Sequence, residues 1–403
     1  MSLISTVPPI DHAPGWLVPL RQSAAVALRE GLPTKKTEAW RFTKVSHLVD
    51  ADIEPAVAEQ SAGFATLGDT WRVFVHAGRP IPGPNPPEGM SVQTGLDTAI
   101  PELGTIARDR HFTALNSASF SDVLLLRVAE PIERSIEIEY GGATGAAYPR
   151  VLVILEKGAS LRLIERTSGE SATTVAVTEI LVGQGARLDH VRVHQDRGSF
   201  IGTLAVRLDR DAHYHSHVVS VGGALMRLDL DVALEGPGAE CWLDGVYHAA
   251  GREVIDHHVR VDHLGPHCTS HQRYRGVLDD KGTAVFDGQA IVHRSAPASE
   301  AHQENRNLLL SDAANVHTKP HLEIDHDEVV ASHGATVGAL DEDSLFYLRS
   351  RGVTESLARG ILTLGFLREL LDEIPDAGLR RDLTATLVSR LPESDALQSF
   401  EDA

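Results

Sequence analysis

Apolar residues change their spacing twice along this chain. Trp16, Leu17, Leu20, Ala24 and Leu28 recur at helical spacing, and Gly31 with Pro33 closes the run. From about Trp71 the period becomes two. Ile136, Ile138 and Tyr140 alternate with Glu137 and Glu139, and short apolar runs follow at 151–155, 161–164, 175–182 and 204–208. Residues 81–89 carry Pro82, Pro84, Pro86 and Pro87 and read as a loop. No amphipathic helix is expected between Asp122 and Val330, which leaves an all-β region of about 200 residues. Helical spacing then returns. Asp341 can cap a helix through Leu345 and Leu348 that ends at Gly352. Leu357, Ile361, Leu364, Leu367 and Leu371 form a second stripe, stopped near Pro375. Leu379, Leu383, Leu387 and Leu391 form a third, stopped by Pro392. These stripes need a partner, which is each other, the end of the β region or another chain.

The β region repeats. Gly158-Ala159-Ser160-Leu161 returns as Gly185-Ala186-Arg187-Leu188, Asp211-Ala212-His213-Tyr214, Gly238-Ala239-Glu240-Cys241 and Gly265-Pro266-His267-Cys268, in steps of 27, 26, 27 and 27 residues. A fixed period in this range with two strands per unit predicts a solenoid: a mainly β, right-handed parallel β-helix of about 27 residues per coil. The expected organisation is an N-terminal helical region over 1–66, a β-helix core over 67–337 and a C-terminal helical domain over 338–403. Leu161, Leu188, Tyr214, Cys241 and Cys268 fall in one column that should face inward, with the two cysteines on adjacent coils. A sandwich of irregular strands would not explain so regular a period.

Composition narrows the function classes. The net charge of -19 disfavours nucleic acid as a partner, since phosphate binding needs clustered Lys and Arg. No window approaches the roughly 18 apolar residues of a membrane span, and the start of the chain lacks the pattern of a signal peptide. A cytoplasmic protein is expected. Two cysteines support neither a disulfide framework nor a CxxC metal motif. There is no GxSxG, P-loop or GxGxxG, so neither nucleophilic catalysis nor nucleotide binding is expected.

Histidine stands out, because 17 of the 21 fall between His190 and His333. His213, His215 and His217 share one face of a strand, a spacing compatible with metal binding. They flank an inward Tyr214, so the simpler expectation is an exposed ladder. Asp256-His257-His258 and His263 make a weaker set. Cys241 and Cys268 read as buried small hydrophobes, with a reactive role as the alternative. Ser332-His333-Gly334 lies at the junction between the β region and the helices, where a loop can present an imidazole. The residues alone fit a ligand or a histidine hydrogen-bonded at a domain boundary.

Several segments together resemble the SufD family, the β-helical scaffold subunits of the Suf iron–sulfur cluster assembly machine. They are Pro33 to Thr43 with Glu38, Trp40 and Phe42; Tyr274-Arg275-Gly276-Val277-Leu278 followed by Phe286-Asp287-Gly288; Gln303 to Ser311; Lys319 to Ile324; and Ser332 to Gly338 followed by Leu345 to Gly352. The related SufB family carries Cys-Asp-Ser where this chain has Asn305-Arg306-Asn307, and His-Glu-Ala where it has His333-Gly334-Ala335. Both differences point to SufD.

The resemblance implies a non-catalytic scaffold. It implies a heterodimer with a SufB-like chain, a SufC-like ATPase on the C-terminal helices at Leu357, Ile361, Leu364 and Leu367, and His333 as the metal ligand for a transient iron–sulfur cluster or iron at the subunit interface. It leaves a reduced flavin in the complex open. Many relatives have cysteine two residues before this histidine, and here Ala331 stands there. Two other readings are a homodimeric iron-binding β-helix protein and a β-helical carbohydrate-active enzyme.

Overall fold

The computed structural model describes residues 3–401 apart from 4–6, 11–12, 50–53, 55, 59–66, 108–109, 142, 168–172, 196 and 392–393. Most of the first residues, the expected boundary at 66 and the expected helix stop at Pro392 lie outside the described residues.

The chain winds as a parallel β-solenoid, each coil giving one strand to each of two ten-stranded sheets. The first sheet runs through strands Ser160–Thr167, Arg187–His194, His213–Val221, Glu240–Ala249, Thr269–Leu278 and Ser299–Leu309 to Val329–Gly338. The second runs through Thr173–Val182, Ser199–Leu208, Leu225–Leu234, Val254–His263 and Thr283–Val292 to Asn315–Ile324. Side chains alternate between the lumen and the outside, as the period of two requires. Leu161, Leu188, Tyr214, Leu230, Val232 and Val261 fill the space between the sheets.

One conformational position sets the repeat. Gly158, Gly185, Asp211, Gly238, His267 and Ala298 all have positive φ at the turn before a first-sheet strand. The residue after each is buried: Ala159, Ala186, Ala212, Ala239, Cys268 and Ser299. Only a small side chain fits that corner. The coil, however, is not of constant length. Ser160 pairs with Arg187, but Glu240 pairs with Thr269 and Thr269 with Glu300, so the register step grows from 27 to 29 and 31 residues.

This lengthening corrects the expected cysteine column. Cys241 pairs with Ser270, not with Cys268. Cys268 occupies the corner position equivalent to Ala239. The difference arises at the Ala250–Glu253 turn, where the coil gains residues and the second-sheet register moves from Ser199↔Leu225 to Met226↔Ile255. Both thiols are nonetheless buried and unbridged.

Helices cover the outer faces. Helix Val18–Ala27 packs against helix His111–Ser119, which lies on the second sheet with Phe112 and Leu115 in one apolar cluster with Val175, Ile201 and Leu225. The second of these lies inside the region read as β-helix. Residues Phe112 to Ser119 are all buried, so it shows no one-sided stripe to recognise.

At the C-terminus, Asp341 caps helix Glu342–Ser350, and helices Glu355–Leu371, Ala377–Ser389 and Ser394–Glu401 follow. They do not cap the end of the solenoid. Leu367, Leu370, Leu371, Leu379, Leu383 and Leu387 lie on the outer face of the first sheet, against Val193, Val219, Val246 and Val277. Those outward valines are the reason: burying one such side chain is worth about 1.5–3 kcal/mol, and a lateral apolar stripe offers several.

Burial raises the pKa of both thiols and so keeps them protonated. Cys268 donates to the Gly236 carbonyl at 3.4 Å. Both should therefore react slowly with a disulfide-exchange reagent in the native protein and within seconds once it is denatured. Immediate native labelling of both would contradict this packing.

Candidate functional site

The two ends of the solenoid differ. At the N-terminal end each sheet finishes in an antiparallel strand, Arg79–Pro82 on the first and Met90–Thr94 on the second. Pro80 and Pro82 remove backbone donors there. At the C-terminal end neither sheet is closed among the described residues. Strand Asn315–Ile324 carries Lys319, Pro320 and Glu323, features that discourage pairing. Strand Val329–Gly338 has none. Its ten residues, Val-Val-Ala-Ser-His-Gly-Ala-Thr-Val-Gly, include no acid, lysine, arginine or proline, and it is largely exposed, with Val330 at 59%.

His333 sits in the middle of this edge strand and is exposed. It is thus held by a strand, not by a loop as the junction suggested. It pairs with Gln303, which pairs in turn with Gln272, so it belongs to a column that faces the lumen. Neither amide atom of Gln303 has a hydrogen-bond partner. Asn305 donates to Tyr247 Oη at 3.1 Å and accepts from Asn307 Nδ2 at 2.7 Å. The open end is therefore floored by carboxamides and phenol, a polar surface beneath the His333 imidazole. Ala331 is half-buried beside Ala301 and Ala290 and offers no ligand.

Polar groups continue into the lumen. Glu165 lies 3.0 Å from His190 Nε2 and 3.3 Å from Arg192, and Tyr140 donates to it. Burial alone would raise its pKa, but Arg192 and His190 hold it at about 2. His257 lies between Tyr247 and Tyr274, each ring centroid 5.5 Å away. On the outer face of the second sheet, Arg227 bridges Asp229 and Asp256, at 2.8 and 2.6 Å. Asp256 is held low by Arg227 and His258 against the opposing effect of burial. The 33–43 segment closes over this pair. Trp40 lies under the Arg227 guanidinium at 3.8 Å, Thr43 donates to Asp256, and Phe42 stacks on His317 at 3.8 Å. The aromatics of that motif thus pack on the solenoid. A cleft of about 770 Å³ opens beside them, lined by Arg41, Phe42, His258, Asp287 and Lys319.

The helical residues expected to bind a partner divide. Leu364 and Leu367 are buried within the chain, Leu367 against the outward valines. Leu357 and Ile361 are half-buried around Val388, Leu391 and Leu397. The free apolar surface is elsewhere, at Phe346 (74% exposed) and Tyr347 (58%) on helix Glu342–Ser350. Their position off the Leu345 and Leu348 stripe was the available signal. The histidine ladder is also not uniformly exposed. His213 and His215 are partly open, but His217 is buried beside Asp244, the residue opposite it on the next coil.

Comparison with known proteins points one way. The family model described as SUF system FeS cluster assembly, SufBD core domain, matches residues 138–366. The iron–sulfur cluster assembly protein SufD of Escherichia coli is 28% identical over 383 residues, covering 91% of this chain and 90% of the relative. An iron–sulfur cluster assembly SufBD family protein of Synechocystis is 30% identical over 403 residues, covering 90% and 89%. One from Mycobacterium tuberculosis is 28% identical over 383 residues, covering 91% of each. Among the described residues no helix is long and apolar enough to cross a membrane.

The buried imidazoles set an acid limit. Burial, with Arg390 adding to it, lowers His248 to about 3. Burial lowers His257 and His263 to about 4, partly offset by Asp256 and Asp262. An unfolded imidazole protonates near 6.5. Between about pH 4 and 6.5 the unfolded chain therefore binds more protons, and stability falls as pH drops through that window. The urea midpoint should be lower at pH 5 than at pH 7.5. An unchanged midpoint would contradict the neutral, buried state of these rings.

Proposed function

The chain is a SufBD-family protein of the SUF iron–sulfur cluster assembly system, and on that premise we propose that it is a non-catalytic scaffold subunit whose open edge strand pairs with a SufB-like chain. The observation that carries this reading is strand Val329–Gly338: ten residues long, uncharged, free of proline and unpaired on one side. Such an edge is a template for another strand. Pairing there continues the sheet into the partner and places His333 at the seam.

In this reading His333 supplies one ligand to a nascent cluster or to iron, which is the cargo of the assembly. Neutral imidazole is a suitable iron ligand. A cluster held by one imidazole from this side, with no thiolate at Ala331, is released more readily than one held by four thiolates. The polar floor at Gln303 and Asn305 keeps the seam hydrophilic, which favours transfer over permanent storage.

A SufC-like ATPase docks on the C-terminal helices. The inward burial of Leu364 and Leu367 moves the contact to Phe346 and Tyr347, with Leu357 and Ile361 contributing their half-buried surface. Aromatic anchors of this kind are frequent in interface hot spots. The helical layer rests on the first sheet, so force applied to it reaches the strands that end at the seam.

One co-expression experiment tests both contacts. With SufB-like and SufC-like partners present, the wild-type chain should capture both. His333→Ala should keep both partners and lose most of the cluster reconstituted on the complex. The double variant Phe346→Ala, Tyr347→Ala should lose the ATPase and keep the SufB-like chain. Full cluster content with His333→Ala would remove the ligand role, and undiminished ATPase capture by the double variant would place docking elsewhere.

A further inference from the structure

The first sheet carries a second constellation of ligand-type side chains, on its outer face and away from the lumen column of His333. His215 and His217 stand two residues apart on strand His213–Val221 and point the same way. Asp244 on the next strand pairs in register with His217. The candidate ligand atoms of these three residues all lie within 4.8 Å of one another. His215 Nε2 is 2.9 Å from Asp244 Oδ2, and the two imidazole centroids are 4.0 Å apart.

His217 is the informative member. It is 2% exposed, and neither of its ring nitrogens has a hydrogen-bond partner. Its Nδ1 is 3.9 Å from Asp244 Oδ2, too far for a hydrogen bond. A buried imidazole with two unanswered nitrogens beside a buried carboxylate is costly as a purely structural device.

We propose that His215, His217 and Asp244 form a binding site for one divalent transition-metal ion of the Fe²⁺–Zn²⁺ class. Two imidazoles and one carboxylate suit these ions, and leave coordination positions open. Binding replaces the hydrogen bond between His215 Nε2 and Asp244 Oδ2. The His215 proton moves to Nδ1, and Nε2 takes the ion. Arg273 holds the carboxylate from the other side, with Nε 2.7 Å from Oδ1 and Nη2 2.7 Å from Oδ2. Its Nε contact survives ion binding. Its cation opposes the ion, and is partly taken up by Glu373 at 3.9 Å and by the Trp242 ring at 5.1 Å.

The site goes beyond the scaffold reading, because it needs no partner chain and does not involve the edge strand. It does share a face with it. The outer column from His215 runs through Trp242, His271 and His302 to Ser332, the neighbour of His333. Trp242 stacks on His271 at 3.8 Å, and His302 Nδ1 lies 2.8 Å from Ser332 Oγ.

The test is calorimetric titration of the full chain with Zn²⁺ alone, repeated with Co²⁺. The wild type should show one tight equivalent above the weak binding of surface histidines. His217→Gln and Asp244→Asn should each weaken that equivalent about 100-fold or more, beyond the 10–100-fold cost of losing a merely supporting residue. His333→Ala should leave it unchanged, so failure here and failure of the edge reading are separable. Equal binding by wild type and both variants would overturn the site, as would loss of the tight equivalent in His333→Ala. Should a variant misfold, the anomalous signal of Zn²⁺ in wild-type crystals decides: a peak among the three side chains supports the site, and peaks only at other histidines overturn it.

Discussion

A parallel solenoid satisfies the backbone of every coil with the coils before and after it, so the unsolved problem of the fold is always its ends. This chain treats its two ends differently. Antiparallel strands, one of them with prolines, finish the first coils, whereas the last coil leaves Val329–Gly338 uncharged and open. An edge of that kind is an aggregation hazard unless a specific partner takes it. The rest of the architecture is consistent with that requirement. The C-terminal helices, which could have covered the edge, are drawn instead to the outer face of the first sheet by its outward valines.

The same geometry explains how polar chemistry survives inside a β-solenoid. The lumen is apolar in the corner column of Ala159, Ala186, Ala212 and Ala239, where only small residues fit. It is polar along the columns of Glu165, His190 and Gln303. Those buried groups are bonded to one another or lie towards the open end. Buried polar networks of this sort impose a cost unless satisfied, and they specify one register over its neighbours. A slip of one residue would turn each of these columns outward.

Much of this is legible in the sequence, and the failures have identifiable causes. The repeat at Gly158, Gly185, Asp211 and Gly238 is visible because a turn with positive φ and a small corner residue demand those types. Past Ala249 the coil lengthens, and a constant period misplaces the later residues. It sets Cys268 beside Cys241, although Cys268 belongs to the corner. The turn residue itself holds the correction, since His267 and Ala298 adopt the same positive φ without being glycine. The leucine stripes of the C-terminal helices are readable, but not which residues the sheet covers. Leu364 and Leu367 turn inward, and Phe346 and Tyr347 are left outside.

The central claim is that the edge strand is an interface awaiting a second chain. Hydrogen exchange at the amides of 329–338, measured on the isolated chain and on its complex with a SufB-like partner, addresses it most directly. The account predicts rapid exchange along the free edge of that strand alone and strong protection in the complex, with the N-terminal edge at 79–82 unaffected. Equal exchange of 329–338 in both states would contradict it.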